Sequence, residues 1–522
     1  MTSLLWTSGS FSKDYLMREQ IEIGSANGLG WRDLFTRVPD SYLGEYPREQ
    51  IKPLLNLVHL SDTHICDAQS PARVEFLDRF ADPHHPITGK AGFLVGTYRA
   101  HEIFTMQVLN SMIRKVNQID FGPVTKTSFD AVVMTGDLVD NAQNNELDWF
   151  LGLISGGKCQ PDSGSKNRWE GVGGDFYSQH YWNPHGTPSG EKDDYPRSLY
   201  GFPIIPELLD AVRESFNSEG LRLPWLAVHG NHDALLQGTV RPNSYLEAIA
   251  TGSRKFKNMS DEEALITLKK FSEVGPAQYP TSTVLPFEQV EPDSKRAFLK
   301  GDDWSTRFHT PRYWRRDYGG VSLIALDTVN PHGGWQGSLG LIQFHWLRDQ
   351  LNMIQNSVIV LTSHHPLQDL FNTYAPEGAE PRVGREEIET LLSDHTGVAL
   401  WLCGHTHRHK VTFFGTDSNL GFWQVETASL IDWPQQGRLV EIYESGDKLG
   451  IALTPLDHGG KLITDPTTTG FSPDDLAGLS RLLSVNDWQR RQGKFRIEHN
   501  HGEREDQRVI LQLPLSRFKK HA

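Results

Sequence analysis

Five short motifs hold the residues of this chain best suited to chemistry: Asp62-Thr63-His64, Gly136-Asp137, Gly230-Asn231-His232-Asp233, Ser363-His364-His365-Pro366 and Gly404-His405-Thr406-His407. Their carboxylate, amide and imidazole groups are hard or borderline donors suited to Zn, Mn, Fe or Co. None is a thiolate, which argues against a structural cysteine-type zinc site. The set is large enough for two adjacent divalent cations. Such a pair, about 3.5–4 Å apart, is the clamp used for in-line attack of hydroxide on phosphorus.

The elements that must position these motifs are short apolar runs. Each motif follows one, at 52–60, 129–135, 224–228, 357–362 and 398–402, and each run reads as a buried strand. Ligands leaving strand ends, one group per loop, build a site at one edge of a sheet. Helical spacing is expected at 98–116, 145–153, 206–218, within 261–274, at 341–353 and at 473–489. A hairpin is expected at 313–318 and 321–327 around Gly319-Gly320, with further strands near 421–427, 438–444, 448–455 and 508–513. Strands with helices between them give an α/β (α+β) chain, a sandwich of two mixed β-sheets flanked by helices.

The chain has 522 residues, yet its motifs run from Asp62 to His407 and must meet within one domain. The expected organisation is an N-terminal extension or cap at 1–50, a catalytic domain at 51–460 with insertions at about 155–205 and 234–310, and a C-terminal extension at 461–522 packing on the core. A hydrophobic content of 38% supports a large core. The net charge of −14 lacks the basic bias that a sequence-independent grip on nucleic acid needs. Three cysteines, Cys66, Cys159 and Cys403, are too few and too scattered for a disulfide framework; Cys66 and Cys403 sit beside motifs and read as small residues at strand ends, with a redox-sensitive thiol as the alternative. No run is apolar enough for a signal sequence or a membrane span, so the expected location is cytoplasmic unless an export signal has been removed.

Taken singly, each motif is weak. Asp-x-His places two donors on the same side of an extended segment, but loop carboxylates and surface histidines share that spacing. Gly-Asp offers a sharp turn and a carboxylate able to bridge two cations. In Gly-Asn-His-Asp the asparagine oxygen is a neutral ligand, and His232 sits too close in sequence to bind the same metal, which leaves it for a substrate oxygen. Gly-His-Thr-His can aim two imidazoles at different metals. Their joint occurrence at strand ends is what a set of ordinary loops does not explain.

As an ordered set, the motifs resemble the signature of the calcineurin-like metallophosphoesterase superfamily over about 54–427. The resemblance implies a four-layer αββα sandwich and a dinuclear centre. It implies Asp62, His64 and His407 on one metal, Asn231, His364 and His405 on the other, and Asp137 between them. His364 stands two residues before Pro366, as the family's ligand does, with His365 the alternative. His232 is implied as the outer acid or electrostatic partner of the phosphoryl group. Asp233 either orients a histidine or is an ordinary loop carboxylate. Purple acid phosphatases place a tyrosine three residues after the Gly-Asp aspartate. Here that position is Asp140, so a tyrosinate-bound ferric ion is not expected, and the chain looks closer to bacterial phosphodiesterase-type members.

The expected function is hydrolysis of a small phosphoester, with a phosphodiester preferred, aided by two divalent ions (Mn, Fe, Zn or Co). A phosphomonoesterase is the alternative, and a nuclease or a non-catalytic metal-binding scaffold ranks lower. Of the arginines, only Arg408 lies in a motif loop; whether Arg73, Arg241 or Arg382 reach the site is left open. The loop Asn330-Pro331-His332-Gly333-Gly334-Trp335 is the expected substrate-facing loop, and His59, His101, His332 and His409 are expected in packing or supporting roles. No membrane partner is expected, and the oligomeric state is left open.

Overall fold

A computed structural model describes residues 19–86, 97–175, 177–256, 260–266, 287–355, 357–416, 420–491 and 496–518. Twelve strands form its two main sheets: β1 (Lys52–Leu60), β2 (Ala131–Met134), β3 (Trp225–Ala227), β4 (Trp314–Tyr318), β5 (Val321–Ala325), β6 (Val358–Thr362), β7 (Val398–Cys403), β8 (Lys410–Gly415), β9 (Gly421–Glu426), β10 (Gln436–Ser445), β11 (Lys448–Asp457) and β12 (Val509–Pro514). One sheet runs β12-β11-β10-β1-β2-β3 and the other β4-β5-β6-β7-β9-β8. Strands β1, β2 and β3 are mutually parallel, as are β5, β6, β7 and β9. Parallel neighbours present their C-terminal ends at the same edge, so the loops that leave them emerge together.

The two sheets pack face to face through alternate residues: Leu55, Leu57, Val133, Val440, Ile442 and Ile451 from one, and Leu323, Val360, Leu400, Leu402 and Val425 from the other. The outer face of the first sheet is covered by the helices Thr105–Asn117, Asn144–Ser155 and Pro473–Val485, against Val58, Leu60, Val132 and Met134. The outer face of the second is covered by the helices Leu341–Met353 and Arg385–Ser393, against Ile324, Ile359, Leu361 and Trp401. The result is the αββα order of layers. The helix starts follow local chemistry. Ser472 caps Pro473–Val485 in a capping box with Asp475, and Gln143 pairs with Glu146 at Asn144–Ser155.

Several elements depart from the sequence expectation. Residues 20–37 form a hairpin, Gln20–Ala26 with Arg32–Arg37, turning at Asn27-Gly28, where the Asn27 carboxamide accepts from the amides of Leu29 and Trp31. The expected helix at 206–218 shrinks to Leu208–Ala211, because Phe216–Ser218 pairs back onto Gly157–Cys159. Strand β8 was not expected; it pairs with β9 at the sheet edge. Residues 261–266 are helical, while 267–274 lie outside the described residues. Both terminal regions merge with the sandwich: β12 is an edge strand of the first sheet, and Ile21, Trp31 and Leu34 join its outer core.

Candidate dinuclear metal centre

The motif loops knit together before any side chain reaches inward. The amides of Asp62, His64 and Ile65 donate to the carbonyls of Gly136, Asp137 and Leu138. Asp62, His64, Asp137, His405 and His407 all adopt positive φ, at 52, 42, 50, 69 and 56°. Left-handed backbone at residues other than glycine costs of order 1–3 kcal/mol each and persists only where the surroundings enforce it. Two glycines allow the approach. A Cβ on Gly404 would stand 1.8 Å from Ser61 Oγ, and one on Gly230 would stand 2.1 Å from the Asp137 nitrogen.

The structure brings all seven expected ligand positions to this edge. Asp62, His64 and His407 place one donor atom each within 4.8 Å of one another, and so do Asp62, Asp137 and His364. Asp137 Oδ2 lies 3.1 Å from His364 Nε2 and 3.7 Å from His64 Nε2, between the two groups. His64 Nε2 faces His407 Nε2 at 3.2 Å, and His364 Nε2 faces His405 Nδ1 at the same distance. Asn231 donates from Nδ2 to the carbonyl of Gly238, which turns its Oδ1 away from that contact; this oxygen is buried and has no hydrogen-bond partner.

The charge states fit a cation site. Burial pulls His364 and His407 down, but Asp137 acting on the first, and Asp62 and Asp432 on the second, outweigh it and hold both up to about 9. Burial dominates at their partners, pushing His64 down to about 4 and His405 to about 3. Each facing pair thus joins one protonated and one neutral ring, with a proton where a cation would bond both. Unpaired buried polar atoms are costly, and the Asn231 oxygen supplies the clearest case of a donor without a partner. The residues present fit two divalent ions.

Supporting residues hold these rings. His64 Nδ1 donates to Asp140 Oδ1 at 2.9 Å, and Asp140 is in turn gripped by Arg73 at 2.6 Å. His407 Nδ1 donates to Asp432 Oδ2 at 2.8 Å, and Asp432 also accepts from His101, Arg99 and Arg490. His364 Nδ1 donates to the Thr135 carbonyl. Fixing one ring nitrogen leaves the other aimed at the metal position. Asp432 escaped sequence reasoning because no short motif surrounds it; its one signal is its place shortly after β9.

His365 is engaged at both nitrogens, by Thr328 Oγ1 and the Trp335 carbonyl, so it is His364 that faces Asp137. His232 donates its backbone N–H to Asp137 Oδ1 and its Nδ1 to the Asp140 carbonyl; its ring meets His64 edge-on at 4.4 Å between centroids. Asp233 orients no histidine through its hydrogen bonds. Its carboxylate accepts from the amides of Gly230, Leu138 and Val139, tying the second motif loop to the third. Of the arginines left open, Arg73 is buried behind Asp140, and Arg382 bonds Ser338 and the Val329 carbonyl. Arg241 acts on His332 through its charge. His59 and His409 are buried supports, on Thr135 and Gln436. Trp335 stacks on His405 at 5.8 Å, which puts the 330–335 loop beside the site. All three cysteines are buried and unbridged. Among the described residues no helix is long and apolar enough to cross a membrane.

Residues 172–409 match the family model of calcineurin-like phosphoesterases, a span that contains Asn231, His364, His405 and His407 but begins after Asp62 and Asp137. A 94-residue stretch is 29% identical to a protein of Arcobacter nitrofigilis named a probable glycerophosphodiester phosphodiesterase; it takes in 18% of this chain and 34% of that protein. The match therefore spans about a third of the curated relative's length. Among solved structures, a dimetal phosphatase from Danio rerio aligns over 78% of this chain and all of its own, with 11% identity and a TM-score of 0.33. The chain is thus similar to calcineurin-like phosphoesterases over residues 172–409, and it carries an ordered donor set gathered at one edge of a two-sheet sandwich.

Proposed function

We propose that this protein is a phosphoesterase that hydrolyses a small phosphodiester, using Asp62, His64 and His407 for one divalent cation, Asn231, His364 and His405 for a second, and Asp137 between them. The observation that carries the reading is the convergence of the aspartate and histidine donors; the buried Asn231 oxygen, which has no hydrogen-bond partner, precedes His232, whose backbone N–H donates to Asp137. When bound, the cations supply a lowered pKa to water and neutralise charge on phosphorus. His232 is 16% exposed at its side chain, and its position beside Asp137 suits protonation of the departing oxygen. Asp140 holds His232 and His64 together and fixes their facing nitrogens.

Two features favour a diester. A monoester dianion calls for extra positive charge beside the metals, yet Arg73, Arg99 and Arg490 are all committed to Asp140 or Asp432. The short similarity to a protein named a glycerophosphodiester phosphodiesterase points the same way. Trp335, 44% exposed, offers one wall for the ester's organic group.

The test is turnover of bis(p-nitrophenyl) phosphate against p-nitrophenyl phosphate with Mn, Co or Zn. The diester is expected to be preferred. His232→Ala is expected to keep its metal and lose about 10²–10⁴-fold in kcat. A variant as active as the wild type removes His232 from the reaction, and preference for the monoester overturns the substrate class.

A further inference from the structure

A second group of donors lies outside the motif loops and shares no residue with them. Asp82, His84 and His180 place one donor atom each within 4.8 Å of one another. The first two follow the 3₁₀ helix Glu75–Ala81, and His180 belongs to the irregular stretch after Cys159. His84 Nε2 stands 3.7 Å from Asp82 Oδ2, too long for a hydrogen bond. His84 Nε2 and His180 Nδ1 are buried and have no hydrogen-bond partner.

The surroundings orient these donors. Asp82 Oδ1 accepts from Trp488 Nε1 at 2.6 Å and Gln489 Nε2 at 3.0 Å, so Oδ2 is the atom on the histidine side. His84 Nδ1 meets the Tyr200 hydroxyl at 3.2 Å, which leaves Nε2 for a ligand. That is the arrangement by which outer contacts fix a metal-binding imidazole. Tyr195 packs against both rings, at 4.3 Å from His84 and 5.5 Å from His180. The side chains of His84 and His180 are 15% and 16% exposed. Arg79, the nearby cation, bonds Asp261 at 3.1 Å.

Two imidazoles and one carboxylate suit Zn²⁺ or a similar borderline ion. Tetrahedral donors then stand roughly 3.3 Å apart, against 3.7 Å for His84 Nε2 and Asp82 Oδ2 and at most 4.8 Å for the group as a whole.

We propose that Asp82, His84 and His180 form a separate divalent-cation site of the zinc type, which clamps the 160–203 stretch to the segment after Glu75–Ala81. It would be distinct from the phosphoesterase centre and independent of the chemistry assigned there.

The experiment is zinc content per chain, by elemental analysis, after chelator stripping and reloading of the full-length protein. His180→Gln and His84→Gln are each expected to bind one equivalent fewer than wild type, and Asp137→Asn is expected to keep the equivalent that they lose. In wild type, zinc is expected to slow proteolysis within 160–203, and in His180→Gln it is not. Equal zinc in wild type and both glutamine variants, with proteolysis indifferent to zinc, overturns the site. If a glutamine variant fails to fold, the decision rests on Asp137→Asn alone: one retained equivalent that protects 160–203 supports the clamp, and none sinks it. A fault in the motif-loop assignment would appear instead as full zinc binding by Asp137→Asn, with the difference at His180→Gln unchanged.

Discussion

Asp432 lies within no motif, yet it sets the direction of His407. Its carboxylate accepts from His407 Nδ1 while His101, Arg99 and Arg490 hold it in place. Asp432→Asn keeps the shape but weakens that hold, and metal affinity is expected to fall about 10–100-fold, measured by competition with a chelating dye. The same scale carries a proton prediction. In the metal-free protein His364 and His407 are raised from an ordinary 6.5 to about 9, so their protons favour the folded state below about 6.5, and that contribution fades as pH rises through about 9. Metal must displace those protons. Loading near pH 7 is therefore expected to release protons, and apparent affinity is expected to climb with pH until about 9. Calorimetry in buffers of different ionisation enthalpy measures the release. No release at pH 7 would show that the rings bind metal from their neutral forms.

The loops are the element at which precision is set. Strands β1, β2, β3, β6 and β7 end within a few residues of a ligand, and their parallel runs put those ends at one edge. Gly404 permits the last loop to pass Ser61 and Asp62 at distances no Cβ tolerates. Gly404→Ala is expected to leave the secondary structure by circular dichroism intact while moving His405 and His407, with at least about 10²-fold loss of turnover and a sub-stoichiometric metal content. Wild-type activity in that variant would mean the loop has room that the structure denies it.

For the molecule as a whole, stability lies between the sheets, away from the reacting edge. Leu400 is fully buried in the inter-sheet core. Leu400→Ala is expected to lower unfolding free energy by about 2–5 kcal/mol, with the metal content of the folded fraction unchanged. Denaturant titration and elemental analysis separate the two effects. Loss of metal without loss of stability would tie the site to the core more tightly than the layering suggests.

How much of this was legible follows from locality. Runs such as Lys52–Leu60 and Val398–Cys403 announce themselves because burial on both faces demands continuous apolar residues. The motif glycines and donors were readable because a ligand loop compresses its chemistry into a few positions. The segment at 206–218 was misread because its helical spacing loses to pairing with Gly157–Cys159, a partner some sixty residues away. Asp233 is open to two roles in sequence, and its hydrogen bonds from the amides of Leu138 and Val139 appear only once the second and third motif loops are packed together.

By itself, the sequence determined the donor types, their order and the strands that end in them, because residue chemistry and periodicity are local properties. Only the tertiary structure decided that Asp140 and Asp432 steer two rings, that His364 faces the centre while His365 is spent on Thr328 and Trp335, and that His180 meets Asp82 and His84. These contacts join residues far apart along the chain. Their geometry exists only after the sheets have packed and brought the loops to one edge.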